Sequence, residues 1–141
     1  MKALHLLTIL SLHAVSLADV RSANEPQKTP SDAAIREKVV GTWIVDLQSH
    51  NGFSIKGTAT IVSENKFIST VTVTTGDRRE EMGYEGRWDV KDGFLIETIT
   101  KSDSRMAPVG MVTRDKVIRV NDQELVYLTE EGKTVTRKRK K

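Results

Sequence analysis

The chain has 141 residues, with 22 Lys and Arg against 19 Asp and Glu, no cysteine and 5% aromatic residues. This length predicts a single domain, and 38% hydrophobic residues with both charges interspersed are typical of a globular protein, which excludes disordered and collagenous chains. Without cysteine the chain forms no disulfide, no thiolate metal site and no cysteine nucleophile.

The N-terminal residues 1–18, MKALHLLTILSLHAVSLA, have the features of a secretory signal peptide. Lys2 supplies the positive start, an apolar stretch follows, and small residues precede an expected cleavage point after Ala18. We therefore expect a secreted or periplasmic protein, with residues 19–28 as a flexible linker and residues 29–140 as the folded domain. An uncleaved amphipathic anchor is the alternative.

The histidine count changes if the signal peptide is removed. Cleavage would remove His5 and His13 and leave His50 as the only histidine, within the turn-like segment 49–52. A metal site built from several histidines is then excluded, and a histidine triad would depend on one residue. We expect His50 to be an exposed turn residue, and we expect no metal and no cofactor.

A short helix is predicted at the start of the domain. Thr29 is the expected N-cap, Pro30 suits the first helical position, and residues 33–38 are good or tolerable helix formers. Val39 and Val40 mark its end, before Gly41. A helix of two or three turns is marginal in isolation, so we expect it to lie on another surface.

From Thr42 onward, apolar residues recur with a period of two, which is typical of β-strands. The pattern is clearest around residues 81–90, and the segment 91–93 (KDG) is a strong hairpin signal. The predicted strands cover about 42–48, 53–61, 67–74, 81–90, 94–101, 111–113 with 117–120, 123–128 and 133–139.

Eight evenly spaced strands with no sustained helical pattern between them predict an antiparallel meander. Closing the meander on itself would remove its open edges and bury the inward row of side chains. The sequence therefore predicts an all-β fold: an antiparallel, up-and-down, eight-stranded β-barrel with a short N-terminal helix at its rim. A β-sandwich is the alternative.

Several segments resemble lipocalin-like (calycin) barrels. Gly41-Thr42-Trp43, at the start of the first strand just after a helix, resembles the G-x-W signature of that superfamily. The segments 84–88 (YEGRW), 93–98 (GFLIET) and 108–112 (PVGMV) are similar to small bacterial lipocalin-like domains. The resemblance covers about residues 35–138, although lipocalins proper are longer and often carry a disulfide.

This resemblance implies a barrel whose Trp43 packs across the closed end beneath a basic residue of a late strand. Arg119 and Arg137 are the expected candidates for that cation–π contact. The resemblance also implies binding of a small apolar or amphipathic molecule, while Trp43 and Trp88 belong either to the core or to a ligand wall. The candidate ligand-binding residues are Trp43, Phe53, Ile55, Phe67, Tyr84, Trp88, Glu97, Met106, Met111 and Arg119.

Glu97 is the most informative of these candidates. It shares strand parity with Leu95 and Ile99, but the opposite face of the strand is also partly apolar, so its direction stays open. If Glu97 points inward, it needs a partner or must anchor a ligand head group, because an unpaired buried carboxylate is costly. The candidate partners are Arg87, Arg119 and Arg137.

We expect a binding protein without catalysis, because the chain has no Gly-rich phosphate loop, no HExxH motif and no nucleophile elbow. The alternative is a protein-interaction or inhibitor module that uses loops at one barrel end. The apolar segment 102–111 is either a lid or a plug at that end. An isomerase or cyclase would need an interior acid–base pair, for which only Glu97 with an arginine is available.

The last five residues, Arg137 to Lys141, are all basic. Without them and Lys2, 16 basic residues remain against 19 acidic ones, so the predicted barrel is mildly acidic. We expect these five residues to form a tail that is solvated or contacts anionic surfaces. We further expect a monomer. We also expect no binding of nucleic acid, because the protein is predicted to be exported and its aromatic residues fall on the inward rows of the strands.

Overall fold

A computed structural model describes residues 28–48 and 52–141 of the chain. The predicted signal peptide, almost all of the predicted linker and His50 lie outside these residues, so those predictions are not tested. The described residues form one helix, α1 (Asp32–Val39), and eight strands. The strands are β1 (Gly41–Gln48), β2 (Phe53–Val62), β3 (Lys66–Thr75), β4 (Arg78–Lys91), β5 (Phe94–Ser102), β6 (Val112–Val120), β7 (Glu124–Leu128) and β8 (Thr134–Lys138).

The strands pair in chain order, each antiparallel to the next, from β1 to β8. An isolated bridge between Trp43 and Arg139 brings the end of β8 back to β1, and the N–H of Lys140 donates to the C=O of Thr42 at 2.8 Å. The predicted eight-stranded up-and-down barrel with a short helix is confirmed, and the barrel is nearly closed. Within residues 28–48 and 52–141, no helix has the length and apolar character needed to cross a membrane.

Side chains of each strand alternate between the inside and the outside of the barrel, as the period-two sequence pattern predicts, and the two ends of the barrel carry different segments. The barrel end that carries α1 and the turns at 63–65, 92–93 and 121–123 is called the closed end here. The opposite end carries the 103–111 loop and is called the open end. The largest fully buried side chains are Trp43, Ile35, Ile61, Leu125, Val39 and Val117.

Two strand glycines allow neighbouring backbones to approach closely. A Cβ on Gly57 would lie 2.1 Å from the carbonyl oxygen of Thr70, and one on Gly86 would lie 2.0 Å from that of Thr98. Gly86 also lies at a β-bulge between β4 and β5. Bulges and strand glycines are the usual means of curving a sheet into a barrel. Gly57 therefore serves curvature and leaves no space for a ligand.

The helix begins later than predicted. Ser31 is the N-cap, and its side chain accepts a hydrogen bond from the N–H of Ala34 at 3.2 Å. The predicted cap, Thr29, is therefore wrong, and Pro30 precedes the helix instead of opening it. The first N–H groups of a helix have no partner within the helix, and the hydroxyl of Ser31 accepts a hydrogen bond from one of them. This bond fixes the start of the helix at Ser31.

The helix lies on the closed end of the barrel, as expected for an element too short to be stable alone. The side chains of Ile35 and Val39, on the inner face of the helix, are fully buried against the barrel. The carboxylate of Asp32 accepts hydrogen bonds from the N–H groups of Asp92 and Gly93 at 3.0 and 2.7 Å. The β4–β5 turn is thereby tied to the first turn of the helix.

Trp43 and Arg139 form the centre of the closed end. The indole Nε1 of Trp43 donates to the C=O of Val39 at 2.7 Å, and the Arg139 guanidinium lies 4.2 Å from the centre of the Trp43 ring. Arg139 also donates to the carbonyl oxygens of Lys38 and Val40, each at 2.7 Å. The guanidinium therefore satisfies carbonyl groups at the end of α1 that no helical N–H can reach.

The predicted partners of Trp43, Arg119 and Arg137, are wrong, because the strand register places Arg139 opposite Trp43. The prediction of a free basic tail is likewise wrong for most of its length. Arg137 and Lys138 belong to β8, and Lys140 bonds to β1. The barrel closes only with an eighth strand, and Arg137 and Lys138 are part of that strand. Contact of the exposed lysines with anionic surfaces stays a prediction.

We expect Arg139→Ala to lower the free energy of unfolding by about 2–3 kcal/mol, since it removes charge-assisted hydrogen bonds and the cation–π contact. The exposed Lys141→Ala is the matched control for loss of a terminal positive charge, with an expected change below about 0.5 kcal/mol. Urea denaturation of both variants measures this difference. Equal stabilities would contradict a structural role for Arg139.

Candidate functional site

A cavity of about 120 Å³ lies inside the barrel. One wall is aromatic and apolar, and the other carries ionisable and hydroxyl groups. The side chains come from β3, β4, β5, β6 and β8 and from the residue just before β6. The apolar wall consists of Phe67, Tyr84, Ile99 and Met111, and the polar wall of Glu97, Thr113, Asp115 and Arg137.

Strand pairing explains why three polar side chains of β5 and β6 face inward. Glu97 lies directly opposite the buried Trp88, Thr113 lies opposite Glu97, and Asp115 lies opposite the buried Leu95. Directly opposite residues of an antiparallel pair share one face of the sheet. Of the two alternatives for Glu97, the structure therefore shows the inward one.

Arg137 reaches the same cavity from β8. It lies opposite the fully buried Leu125, and its guanidinium lies 5.1 Å from the centre of the Tyr127 ring. Its Nε is buried and has no hydrogen-bond partner, and the same is true of the hydroxyl oxygen of Thr113. Buried polar atoms without a protein partner are costly, so they point to a polar group or water that completes them.

The two carboxyl groups of the cavity have altered acidity. Burial raises the pKa of Glu97, and the positive charge of Arg137 opposes this rise. The pKa of Asp115 is raised to about 6, chiefly by burial and then by the negative charge of Glu97. Glu130 adds a smaller rise, and the positive charge of Arg137 opposes it. In the described part of the chain, neither carboxyl group belongs to an ion pair. One guanidinium therefore faces two acids without pairing with either.

The cavity brings together four of the sequence-predicted ligand-binding residues. Phe67 and Tyr84 stand edge to face with ring centres 6.2 Å apart, Glu97 faces them from the polar wall, and Met111 lies at the margin with 41% of its surface exposed. Ligand binding by these four residues stays a prediction, but the structure shows that they share one cavity.

The other predicted ligand-binding residues lie elsewhere. Trp43 and Trp88 are core residues, and the indole of Trp88 donates to the C=O of Val62 at 2.8 Å. Arg119 forms an ion pair with Glu124 at 2.6 Å. The remaining three do not line the cavity: Phe53 and Ile55 are partly buried on β2, and Met106 is 50% exposed on the 103–111 loop.

Sequence reasoning missed Thr113, Asp115 and Arg137 as lining residues. The predicted sixth strand was split into 111–113 and 117–120, whereas β6 is continuous and includes Asp115. The alternation of Thr113, Asp115 and Val117 was the signal that could have joined the two pieces. Arg137 lies in the predicted strand 133–139 and was named as a possible partner of Glu97 or Trp43, but not as a lining residue, because the run of five basic residues also indicated a solvated tail.

A larger groove of about 280 Å³ lies on the outside of the barrel around Gly83. Of its three charged residues, Glu85 and Lys101 form a mutual ion pair at 3.4 Å, with the lysine side chain 78% exposed, and Asp103 accepts a hydrogen bond from the N–H of Gly83 at 2.9 Å. Exposed ion pairs of this kind contribute little energy and are satisfied by one another and by solvent. The smaller inner cavity, with its unpaired buried groups, is therefore the better candidate site.

Comparison of the chain with models of known protein families gives no match, and comparison with curated proteins gives none either. The nearly closed antiparallel barrel of eight strands is compatible with a lipocalin-like fold. At the start of β1, a Cβ on Gly41 would lie 2.0 Å from the Arg139 guanidinium that covers Trp43, so a side chain at this position would displace that guanidinium.

We expect Asp115→Asn to stabilise the protein relative to wild type by an amount that grows as the pH rises from about 4 to about 7. A carboxyl whose pKa is raised to about 6 on folding binds more protons in the folded state, so the wild type loses stability as the pH rises through that range. Asn carries no such charge. Urea denaturation at several pH values measures the difference.

The exposed Asp46→Asn, on the outer face of β1, is the control for loss of one negative charge. An equal pH-dependent gain in both variants would show that net charge, and not burial of Asp115, causes the effect.

Proposed function

We propose that the protein is an exported binding protein that holds a small amphipathic molecule inside the barrel, without catalysis. The observation that carries the proposal is the two-sided inner cavity. Its apolar wall suits a short hydrocarbon segment, and its polar wall presents buried groups that lack protein partners. Ligand sites commonly combine an apolar lining with a few convergent polar groups that orient the ligand.

The size of the cavity limits the ligand. Drug-sized ligands occupy pockets of about 300–1,000 Å³. A cavity of about 120 Å³ lies well below that range, so it suits a ligand with only a few non-hydrogen atoms. A larger ligand enters only if a neighbouring segment moves.

The 103–111 loop is the segment placed to move. The backbone of Ile99 bonds to Met111 at 2.9 Å and to Gly110 at 2.8 Å, so the end of the loop is attached to β5 beside the cavity. Met111 lines the cavity and is also partly exposed, whereas Val109 is 64% exposed. Because Ser104 and Ala107 of the same loop are buried, the loop has a packed inner side and an exposed outer side, and we propose that its exposed end acts as a lid.

Native mass spectrometry of the protein purified from its own source tests this proposal. We expect wild type to carry a small molecule, and we expect Thr113→Phe to lose it, because the phenyl ring would occupy the cavity. Thr100→Phe, at an exposed position of the same barrel wall, is the matched control and should retain the molecule. Equal retention by both variants would contradict binding in this cavity.

One observation favours the second candidate, a protein-interaction module that uses loops at the open end. Met106, Val109 and Val112 are 50%, 64% and 49% exposed, and neighbouring exposed apolar side chains often mark interaction sites.

A pull-down with the double variant Met106→Ser, Val109→Ser separates the two candidates. If the loop binds a protein partner, this variant loses the partner while Thr113→Phe keeps it. If the cavity binds a small ligand, the two variants show the reverse pattern in the mass-spectrometric experiment.

A further inference from the structure

The charges that line the inner cavity are unequal. Two carboxyl groups, those of Glu97 and Asp115, face one guanidinium, that of Arg137. The three groups come from three different strands and form no ion pair with one another in the described part of the chain. The cavity therefore carries an excess of acidic groups within a largely apolar surround.

Arg137 is already engaged electrostatically. Its positive charge acts on Glu97 and Asp115, and its guanidinium lies over the Tyr127 ring. A ligand carboxylate would be a third acid in a space with one cation, and like charges in a partly dehydrated site repel strongly. The lining disfavours anionic ligands for this reason.

A protonated amine complements the same lining. An ammonium group donates up to three hydrogen bonds, and the carboxylates of Glu97 and Asp115 accept them. The rings of Phe67 and Tyr84 on the opposite wall provide an apolar surface for the carbon chain attached to the amine. With a protonated amine bound, the cavity would contain two cations, the ammonium group and Arg137, and two anions, Glu97 and Asp115.

The remaining polar atoms specify a second group on the ligand. The buried Nε of Arg137 is a donor without an acceptor, and the buried hydroxyl of Thr113 has no partner. A hydroxyl oxygen on the ligand accepts from the guanidinium while the amine binds the carboxylates.

Resting on the binding function proposed above, we infer that the cavity selects a short aliphatic amine, preferably one that also carries a hydroxyl group, over a carboxylate of the same size. The lining of Glu97 and Asp115 provides the preference for the amine. Arg137 and Thr113 provide the contact for the hydroxyl.

Four probes of nearly equal size test the inference on the full chain: butylamine, 2-amino-1-butanol, 1-butanol and butyrate. Binding is measured from chemical-shift changes of the backbone amides of Ile99 and Thr113. At pH 7.5 we expect both amines to bind at least about tenfold more tightly than butyrate, a difference of about 1.4 kcal/mol, with 1-butanol between them. The amino alcohol should bind more tightly than butylamine.

The pH dependence gives a second readout. As the pH rises through about 6, Asp115 becomes ionised, so affinity for the amines should rise and affinity for butyrate should fall. The charged and titratable groups that act on Asp115 or on its neighbours in the cavity are Glu97, Glu130, Arg137, Tyr84 and Tyr127.

Charge variants assign the preference to the cavity. Glu97→Gln and Asp115→Asn should each reduce the ratio of amine to butyrate affinity several-fold, whereas Glu81→Gln, exposed on the outer face of β4, should leave it unchanged. If butyrate binds at least as tightly as the amines, the inference is overturned while the binding function stands. If none of the four probes shifts the cavity amides, the inference is overturned, while the proposed binding function is decided by the native mass spectrometry of wild type and Thr113→Phe.

Discussion

The contact between Arg139 and Trp43 is the interaction on which the rest of the structure depends. The backbone joins β8 to β1 by an isolated bridge between Trp43 and Arg139 and by the hydrogen bond from Lys140 to Thr42, so the side-chain contact reinforces a short seam between the two edge strands of the sheet. The guanidinium covers the indole ring and also satisfies carbonyl groups at the end of α1. One side chain thus joins the first strand, the last strand and the helix.

The same strand that closes the barrel also supplies the charge of the inner cavity. Inward positions of a strand alternate, so once Arg139 is held against Trp43, Arg137 must face the interior one step toward the open end. A guanidinium that faces the barrel interior, as that of Arg137 does, would be costly in a purely apolar core. Glu97 and Asp115, on β5 and β6, balance it across the cavity without pairing with it. The closed end contains several satisfied polar contacts, although the Nε of Arg139 there is buried without a partner, whereas the cavity offers space in which a ligand or water can complete its polar groups.

This division assigns stability and binding to different parts of one small barrel. At the closed end the buried indole N–H of Trp43 and the carboxylate of Asp32 have protein partners at 2.7–3.0 Å, and only the Nε of Arg139 among the described buried side-chain atoms there lacks one. In the cavity Thr113 and Arg137 have buried atoms without partners, and these atoms lie beside about 120 Å³ of open space. A domain of this size gains only modest stability from its core, so unsatisfied groups are retained at a cost of about 1–3 kcal/mol each unless something completes them. That cost is the physical reason for placing the function in the cavity.

The sequence by itself determined the secondary structure and the closure. The period-two pattern and the turns predicted eight strands and the short helix, because alternation and turn chemistry are local properties. They left the direction of Glu97 open, divided β6 into two pieces and placed the helix cap at the wrong residue. The tertiary structure alone decided which residues meet across the barrel. Arg139 lies on Trp43, and Asp115 joins Glu97 and Arg137, because strand register sets contacts between residues far apart in the chain, and a shift of one residue would reverse every side chain. The run of basic residues at 137–141 illustrates the limit: as a composition it indicates a solvated tail, and only the closing of the barrel turns two of its arginines inward.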